Sequence, residues 1–101
     1  MSWIQIATKD QLQDDEVIPI VLGERKLALY RSAGDFHVTD NVCTHQHALL
    51  SDGYLEDGCI ECPLHQARFD IRTGKAMCAP ATQDIRVYPV RLEGDAILVD
   101  A

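Results

Sequence analysis

Short runs of apolar or alternating residues recur along the chain, and turn residues separate them. The runs are Trp3–Ala7, Val17–Leu22, Leu27–Tyr30, Phe36–Thr39, Cys59–Cys62, Arg68–Ile71, Ile85–Leu92 and Ala96–Val99. Glycine-containing turn signals stand between many of them, at Gly23-Glu24, Ala33-Gly34, Asp57-Gly58 and Gly94-Asp95. Runs this short predict antiparallel β structure, and Lys9 to Leu12 is the single helical turn that we expect. The pattern therefore predicts an all-β fold, a small antiparallel sandwich or partly open barrel.

Length and charge restrict the classes of protein to which the chain can belong. We expect one domain over residues 1–101, with a modest core that a bound cofactor would help to stabilise. Sixteen acidic and nine basic side chains give a formal net charge of -7, which argues against nucleic acid or an anionic membrane as a partner. Basic protein partners fit that charge, and so does acidity that only maintains solubility. Without a basic leader or a run of ~20 apolar residues, we expect a cytoplasmic protein with no membrane segment.

Two short motifs each combine one cysteine with one histidine. Cys43-Thr44-His45 reads C-x-H, and Cys62-Pro63-Leu64-His65, which begins seventeen residues after His45, reads C-x-x-H. Two such pairs can hold a Rieske-type 2Fe-2S cluster, with the cysteines on one iron and the histidines on the other. Neutral imidazoles in place of two thiolates make such a cluster easier to reduce. We therefore predict Cys43, His45, Cys62 and His65 as ligands of one 2Fe-2S cluster that transfers single electrons, and we predict no catalytic residue.

Both motifs stand at the ends of strand-like runs. Phe36–Thr39 leads into the first motif and Cys59–Glu61 leads into the second. Because each motif follows a strand, we expect the two motifs to lie on adjacent loops that bind a cluster between them. We expect these loops to form a cluster-binding subdomain, about residues 41–80, inserted into the remaining β framework.

Zinc is the main alternative occupant, because two cysteines and two histidines also suit a tetrahedral zinc site. Structural zinc sites usually place their final ligand pair on a short helix or in a knuckle, whereas both pairs here lie in predicted β-framework loops. The cluster is favoured, and a zinc-stabilised interaction module remains the competing interpretation.

Four other residues with ligand chemistry have structural explanations. Strand alternation turns Cys59 to the face opposite Cys62, where we expect a buried, inert thiol. Cys78 is expected to be a reduced thiol in a loop, without a disulfide framework. His47 is expected to be a loop histidine because four ligands already complete the site, and His37 is expected to face solvent from its strand.

Acidic residues are frequent between the two motifs. Asp52, Glu56, Asp57 and Glu61 all fall in this segment and are candidates for a docking surface. A solvated hairpin with no binding role explains them equally well.

The motifs and their surroundings resemble the Rieske-type ferredoxins of bacterial aromatic-ring-hydroxylating dioxygenase systems. The stretches that carry the resemblance are Ser51–Glu56, Ile60–His65, Arg68–Asp70, Thr73–Ala76 and Ala79-Pro80, while Ile85–Pro89 is similar to the subgroup serving naphthalene-type oxygenases. The resemblance implies a Rieske-type fold and a monomeric electron carrier that is not itself an enzyme. Its partners would be a flavin-containing, NAD(P)H-dependent ferredoxin reductase and a terminal oxygenase. A Rieske subunit permanently bound to another oxidoreductase is the alternative.

Three departures from family patterns bear on the site. High-potential relatives carry Ser and Tyr where this chain has Ala67 and Phe69, and bridging cysteines where it has Ala48 and Leu64. Without those hydroxyl donors to sulfur, the resemblance implies a low reduction potential, with backbone amides as the main donors. Gln46 stands where a glycine commonly follows the first histidine ligand, and a positive φ at this position would cost Gln more energy than glycine.

Overall fold

Ten strands form the described part of the protein. The computed structural model describes residues 2–43, 48–63, 67–77 and 83–101. The strands are β1 (Trp3–Thr8), β2 (Glu16–Leu22), β3 (Arg25–Ser32), β4 (Asp35–Asp40), β5 (Tyr54–Glu56), β6 (Cys59–Glu61), β7 (Arg68–Asp70), β8 (Val87–Tyr88), β9 (Val90–Glu93) and β10 (Ala96–Asp100). Short 3-10 helices cover Lys9–Gln11 and Leu50–Asp52, and none of the described helices has the length and apolar character to cross a membrane. The predicted all-β class is confirmed.

The strands pair in three antiparallel sheets. The first sheet has the order β1-β10-β9, the central sheet β2-β3-β4-β8, and the third sheet β5-β6-β7. Apolar side chains of the first and central sheets share one core, which makes the predicted sandwich. The third sheet lies between β4 and β8 in sequence, inside the segment 41–80 predicted as a cluster-binding subdomain. That subdivision and the single-domain boundary 1–101 stay predictions.

Strand β3 is buried on both faces. Leu27, Ala28, Leu29 and Tyr30 have no exposed surface. Successive side chains of a strand point to opposite faces, so Leu27 and Leu29 enter the core shared with the first sheet. Ala28 and Tyr30 enter a second core, which contains the described cysteines Cys43 and Cys62 and residues of the third sheet. Strand β3 therefore separates two cores and supports both.

The sequence pattern missed one break between strands and one short strand. Ile85–Leu92 was expected as one run, but it divides at Pro89 into β8 of the central sheet and β9 of the first. Proline has no N–H to donate to a sheet ladder, so the chain changes sheets at this residue. Strand β5 was not predicted, because it spans only three residues and only Leu55 turns inward.

A chain of hydrogen bonds secures the end of β4, from which the backbone continues to Cys43. The hydroxyl of Thr39 donates to the carbonyl of Asp40 at 2.8 Å, so the buried phenol of Tyr30, 2.8 Å away, donates to Thr39. The hydroxyl of Tyr88 donates to the Asp40 carboxylate. Tyr30 belongs to the core that contains the cysteines and Tyr88 to the core shared with the first sheet. The end of β4 is thus tied to both cores.

We predict that Gly53→Ala destabilises the hairpin that carries Cys62. A Cβ at Gly53 would lie 2.0 Å from the carbonyl oxygen of Glu61, the residue before Cys62, so the backbone must shift. Overpacking of this kind costs about 3 kcal/mol of unfolding free energy, measured by urea denaturation. Gly23→Ala is the control: its Cβ would meet nothing within 4 Å, and its φ of +60° costs only about 1 kcal/mol. Equal losses of unfolding free energy in Gly53→Ala and Gly23→Ala would contradict the predicted clash.

We also predict that the free energy of unfolding of Tyr30→Phe decreases less at alkaline pH than that of wild type. Burial raises the pKa of Tyr30, so it keeps its proton in the folded protein while a tyrosine in the unfolded chain loses its proton near pH ~10. Its contribution to stability is therefore complete below that pH and is lost as the pH rises further. Urea unfolding between pH 8 and about 11 should show a shallower decline for Tyr30→Phe than for wild type. The control Tyr54→Phe removes an exposed hydroxyl, and a decline as shallow in that variant would contradict the prediction.

Candidate metal centre

Cys43 lies at the start of a loop that its own backbone closes. Its N–H donates to the carbonyl of Ala48 at 2.9 Å, and Val42 and Leu49 form an isolated antiparallel bridge beside it. Asn41 is buried two residues before Cys43, and its side-chain oxygen accepts a hydrogen bond from the Ser51 N–H at 2.7 Å. Cys43 and Ala48 are therefore fixed next to each other.

Cys62 begins a second loop built in the same way. It follows β6, and its N–H donates to the carbonyl of Ala67 at 2.7 Å, directly before β7. In each loop the cysteine N–H bonds to an alanine carbonyl five residues later. The two cysteine-histidine motifs therefore begin with the same backbone hydrogen-bond pattern, although their sequences, C-x-H and C-x-x-H, differ.

The two cysteines and the two alanines belong to one apolar cluster. Its buried residues are Ala28, Tyr30, Cys43, Ala48, Leu50, Ile60, Cys62, Ala67, Phe69, Ile71 and Ile85. None of these side chains carries a formal charge that could balance a thiolate. Burial of an uncompensated charge is costly, so the site accepts either neutral thiols or thiolates whose charge is balanced by a bound metal. The donor set therefore fits the cysteine half of an iron-sulfur centre.

Several predicted site residues lie outside the described residues. These are the ligands His45 and His65, together with Gln46, His47 and Cys78. In sequence, each histidine ligand falls inside the loop that its partner cysteine begins. Within residues 2–43, 48–63, 67–77 and 83–101, no three metal-ligating side chains come together. The structure thus brings Cys43 and Cys62 into one cluster, and the assignment of the histidines stays a prediction.

Cys59 does not occupy the position that the sequence suggested. It points to the opposite face of β6 from Cys62, as alternation requires, but the prediction of a core thiol is wrong. The core lies on the side of Ile60 and Cys62, whereas Cys59 is half-buried on the outer face, between Glu56 and Asp70 in the sheet register. Sequence alternation showed that the two cysteines face opposite ways, but not which face is the core.

His37 is also less exposed than predicted. It is half-buried on β4, and this burial is the main factor that lowers its pKa. The carboxylates of Asp35 and Asp70 act in the opposite direction, and the Arg72 guanidinium adds to the lowering. The prediction of a solvent-facing side chain missed Ile71 and Arg72, which line two cavities together with His37.

Two of the acidic docking candidates lie at the opposite end of β6 from Cys62. Glu56 and Asp57 line a cavity of about 500 Å³, which also contains Asp14, Asp15 and Asp35. This acidic cavity adjoins the starts of β4 and β6, whereas Cys43 and Cys62 follow their ends. The length of β4 alone separates Asp35 from Asp40 by about 17 Å. The other two candidates differ in exposure: Asp52 is exposed and Glu61 is half-buried.

Among the described residues, the cluster that contains Cys43 and Cys62 includes a phenol that sequence reasoning missed. Ala67 and Phe69 are fully buried in the cysteine-containing cluster and provide no hydroxyl, as the sequence indicated. Tyr30 lies in the same cluster, but its proton is used in the bond to Thr39. The only sequence signal for this role was its place at the end of the apolar run Leu27–Tyr30.

Comparison with known proteins agrees with this geometry. Residues 2–89 match the Rieske [2Fe-2S] domain family. The chain is 46% identical over 100 residues to the ferredoxin component of the naphthalene 1,2-dioxygenase system of Pseudomonas putida, covering 99% of this chain and 96% of that protein. It is also similar to a ferredoxin from Sphingomonas yanoikuyae B1, with a TM-score of 0.94, 36% identity and 99% of both chains covered.

A third similar structure is a complex of reduced oxygenase and oxidized ferredoxin in carbazole 1,9a-dioxygenase. The TM-score is 0.91 at 31% identity, with 96% of this chain and 91% of that chain covered. The match to the family covers most of the sequence and includes both cysteine-histidine motifs. The chain belongs to the Rieske [2Fe-2S] domain family, and its cofactor is one Rieske-type 2Fe-2S cluster.

Proposed function

We propose that Cys43, His45, Cys62 and His65 are the complete ligand set of this cluster. The observation that carries the proposal is the common construction of the two loops, each closed by a cysteine N–H and an alanine carbonyl five residues apart. Both cysteines are almost fully buried in one apolar cluster, which suits ligands of the shielded iron. His45 and His65 would bind the other iron.

The function that this site supports is one-electron transport in an aromatic-ring dioxygenase system. The chain accepts an electron from a flavin-containing, NAD(P)H-dependent ferredoxin reductase and delivers it to a terminal oxygenase. The support is the naming of similar proteins as ferredoxin components of such systems, and the similar structure of a complex of reduced oxygenase and oxidized ferredoxin. The chain is a carrier and not an enzyme, because in this scheme the oxygenase holds the substrate. We further propose that it is a cytoplasmic monomer with a single domain over residues 1–101.

The bound cluster supplies one-electron redox chemistry, and the residues of the chain set the conditions for it. Tyr30, Phe69 and Ile60 exclude water from the cysteine side of the site. Ala67 and Phe69 offer no hydroxyl to sulfur, and the Tyr30 hydroxyl is already bonded to Thr39. The N–H groups of Cys43 and Cys62 are used in closing their own loops. These features favour a midpoint reduction potential toward the lower end of the ~-150 to +300 mV range of Rieske centres.

We expect Cys43→Ser and Cys62→Ser each to abolish cluster assembly. Removal of a ligand also removes the binding energy that organises both loops, so these variants should unfold at lower urea concentration than wild type. The measurements are iron and sulfide content, together with absorption and electron paramagnetic resonance spectra before and after dithionite. Wild type should contain two irons and two inorganic sulfides per chain, which is the composition of a 2Fe-2S cluster.

Cys59→Ser is the matched control for this experiment. It changes a cysteine three residues from Cys62 on the outer face of β6, and it should retain the cluster and the spectra. Loss of the cluster in Cys59→Ser, or its retention in Cys43→Ser, would refute the ligand assignment. Stoichiometric zinc without sulfide would refute the cluster itself. Elution with another oxidoreductase in gel filtration would support the permanently bound subunit instead.

We expect Phe69→Tyr to raise the midpoint potential if its hydroxyl reaches a cluster sulfur. One hydrogen bond to a charged group, about 1.5 kcal/mol, corresponds to roughly 60 mV for a one-electron couple. Protein-film voltammetry at neutral pH measures the change. Phe36→Tyr is the matched control, because Phe36 is the other phenylalanine of the chain and lies in the core without cysteines. A wild-type midpoint near the top of the range, or equal shifts in both variants, would contradict the argument.

A further inference from the structure

Asn41 is a buried polar residue two positions before Cys43. It is 2% exposed, and its backbone and side chain take part in four hydrogen bonds. The backbone N–H of Asn41 donates to the carbonyl of Lys26 at 2.8 Å, and its carbonyl accepts from the N–H of Leu50 at 2.7 Å. The side-chain oxygen accepts from the N–H of Ser51 at 2.7 Å, and the side-chain nitrogen donates to the Ser51 hydroxyl at 2.9 Å. Asn41 therefore joins the chain that follows β4 to residues 50 and 51.

The side chain of Asn41 suits this position because it is an amide. The N–H of Ser51 can only donate, so an acceptor must face it, and the Asn41 side-chain oxygen is that acceptor. The amide nitrogen then faces the Ser51 hydroxyl, which can accept its hydrogen. An apolar side chain of similar size would remove both bonds, and a polar group that loses its partner inside a protein is costly.

The residues bonded to this amide begin a short turn, residues 50–53, that reaches the base of the second ligand loop. The N–H of Gly53 donates to the carbonyl of Leu50 at 2.9 Å, and the Leu50 side chain is buried in the apolar cluster that contains both cysteines. At its other end the turn packs against backbone, because a Cβ on Gly53 would lie 2.0 Å from the carbonyl oxygen of Glu61. Glu61 is the last residue of β6 and immediately precedes Cys62.

This turn relates the two ligand loops to each other. The backbone bonds of Cys43 and Cys62 each close one loop, but neither bond joins one loop to the other. Apolar packing in the shared cluster is non-directional, so it fixes the spacing of the loops less closely than hydrogen bonds and backbone contacts do. The turn 50–53 has directional bonds to Asn41 on one side and a close backbone contact with Glu61 on the other.

We propose that Asn41 is a positioning residue for the cluster, and that it fixes the spacing between the first ligand loop and the hairpin that carries Cys62. This proposal rests on the proposed function, because it takes Cys43 and Cys62 as ligands from the two loops. A cluster held between two loops keeps its geometry in both oxidation states only if the loops keep their spacing. Asn41 acts through the turn 50–53 and needs no contact with the cluster itself.

The test compares Asn41→Ala with Ser51→Ala and with Ile97→Ala, each as the cluster-containing protein. Asn41→Ala removes both side-chain hydrogen bonds to residue 51, whereas Ser51→Ala removes only the bond to the hydroxyl. Ile97→Ala is the control, because Ile97 is fully buried in the core without cysteines and its truncation destabilises the protein away from the cluster. The measurements are hydrogen–deuterium exchange by mass spectrometry and electron paramagnetic resonance of the dithionite-reduced protein.

We expect Asn41→Ala to increase the amide exchange rate of residues 53–62 about tenfold, the factor that corresponds to the loss of one to two hydrogen bonds. Ser51→Ala, which loses one bond, should increase it about threefold. Ile97→Ala should instead increase exchange most in β1, β9 and β10, the strands around its side chain. The resonance lines of the reduced cluster should broaden in Asn41→Ala and keep their wild-type width in Ile97→Ala, because a wider range of loop spacings gives a wider range of g-values.

Faster exchange confined to residues 50 and 51 would overturn the proposal, because the hairpin would then keep its place without Asn41. Lines as broad in Ile97→Ala as in Asn41→Ala would also overturn it, since general destabilisation would explain both. If Asn41→Ala does not fold, Ser51→Ala decides, and wild-type exchange and line widths in that variant would reject the positioning role. Absence of the cluster signal in wild type would contradict the proposed function itself, which separates that failure from failure of the role of Asn41.

Discussion

The burial of β3 on both faces is the constraint on which the rest of the structure depends. Four consecutive residues, Leu27 to Tyr30, have no exposed surface, and they alternate between two cores. A sheet buried on one side needs only every second residue to be apolar, whereas a sheet with layers on both faces needs a continuous run. The central sheet can therefore hold the first sheet on one side and the cysteine-containing layer on the other. Without this strand, the third sheet and its two loops would lose Ala28 and Tyr30 as apolar packing partners.

The position of the metal centre follows from that layering. Strands β4 and β6 end near the same core, and the chain enters a ligand loop soon after each strand. Each loop is closed at its base by one backbone hydrogen bond, and both bases lie in the apolar cluster of Tyr30 and Phe69. Buried backbone groups need partners, so these closures satisfy the cysteine N–H groups while they fix the loop ends. Rigid bases of this kind suit a centre that must change its charge with little rearrangement of the protein.

Charge is organised along the strands rather than spread evenly over the surface. Five carboxylates surround the cavity at the starts of β4 and β6, whereas acidic and basic side chains are mixed near the end of β4. Exposed charges act over about one Debye length, roughly 8 Å at physiological salt, so a partner near the cluster responds to the local groups more than to the total charge. The net charge of -7 therefore describes solubility and the exclusion of nucleic acid better than it describes docking.

The sequence by itself determined the all-β class, the positions of most strands and the cofactor. Strand alternation and turn residues are local properties, and two cysteine-histidine pairs at short spacing have few alternative chemical uses. Only the tertiary structure decided which face of β6 belongs to the core and that the chain changes sheets at Pro89. It also placed Tyr30 in the same core as Cys43 and Cys62, with its hydroxyl already bonded to Thr39. It also decided that Glu56 and Asp57 lie at the opposite end of β6 from Cys62. These properties depend on how separate segments pack together, and periodicity along one chain carries no information about which segments will meet.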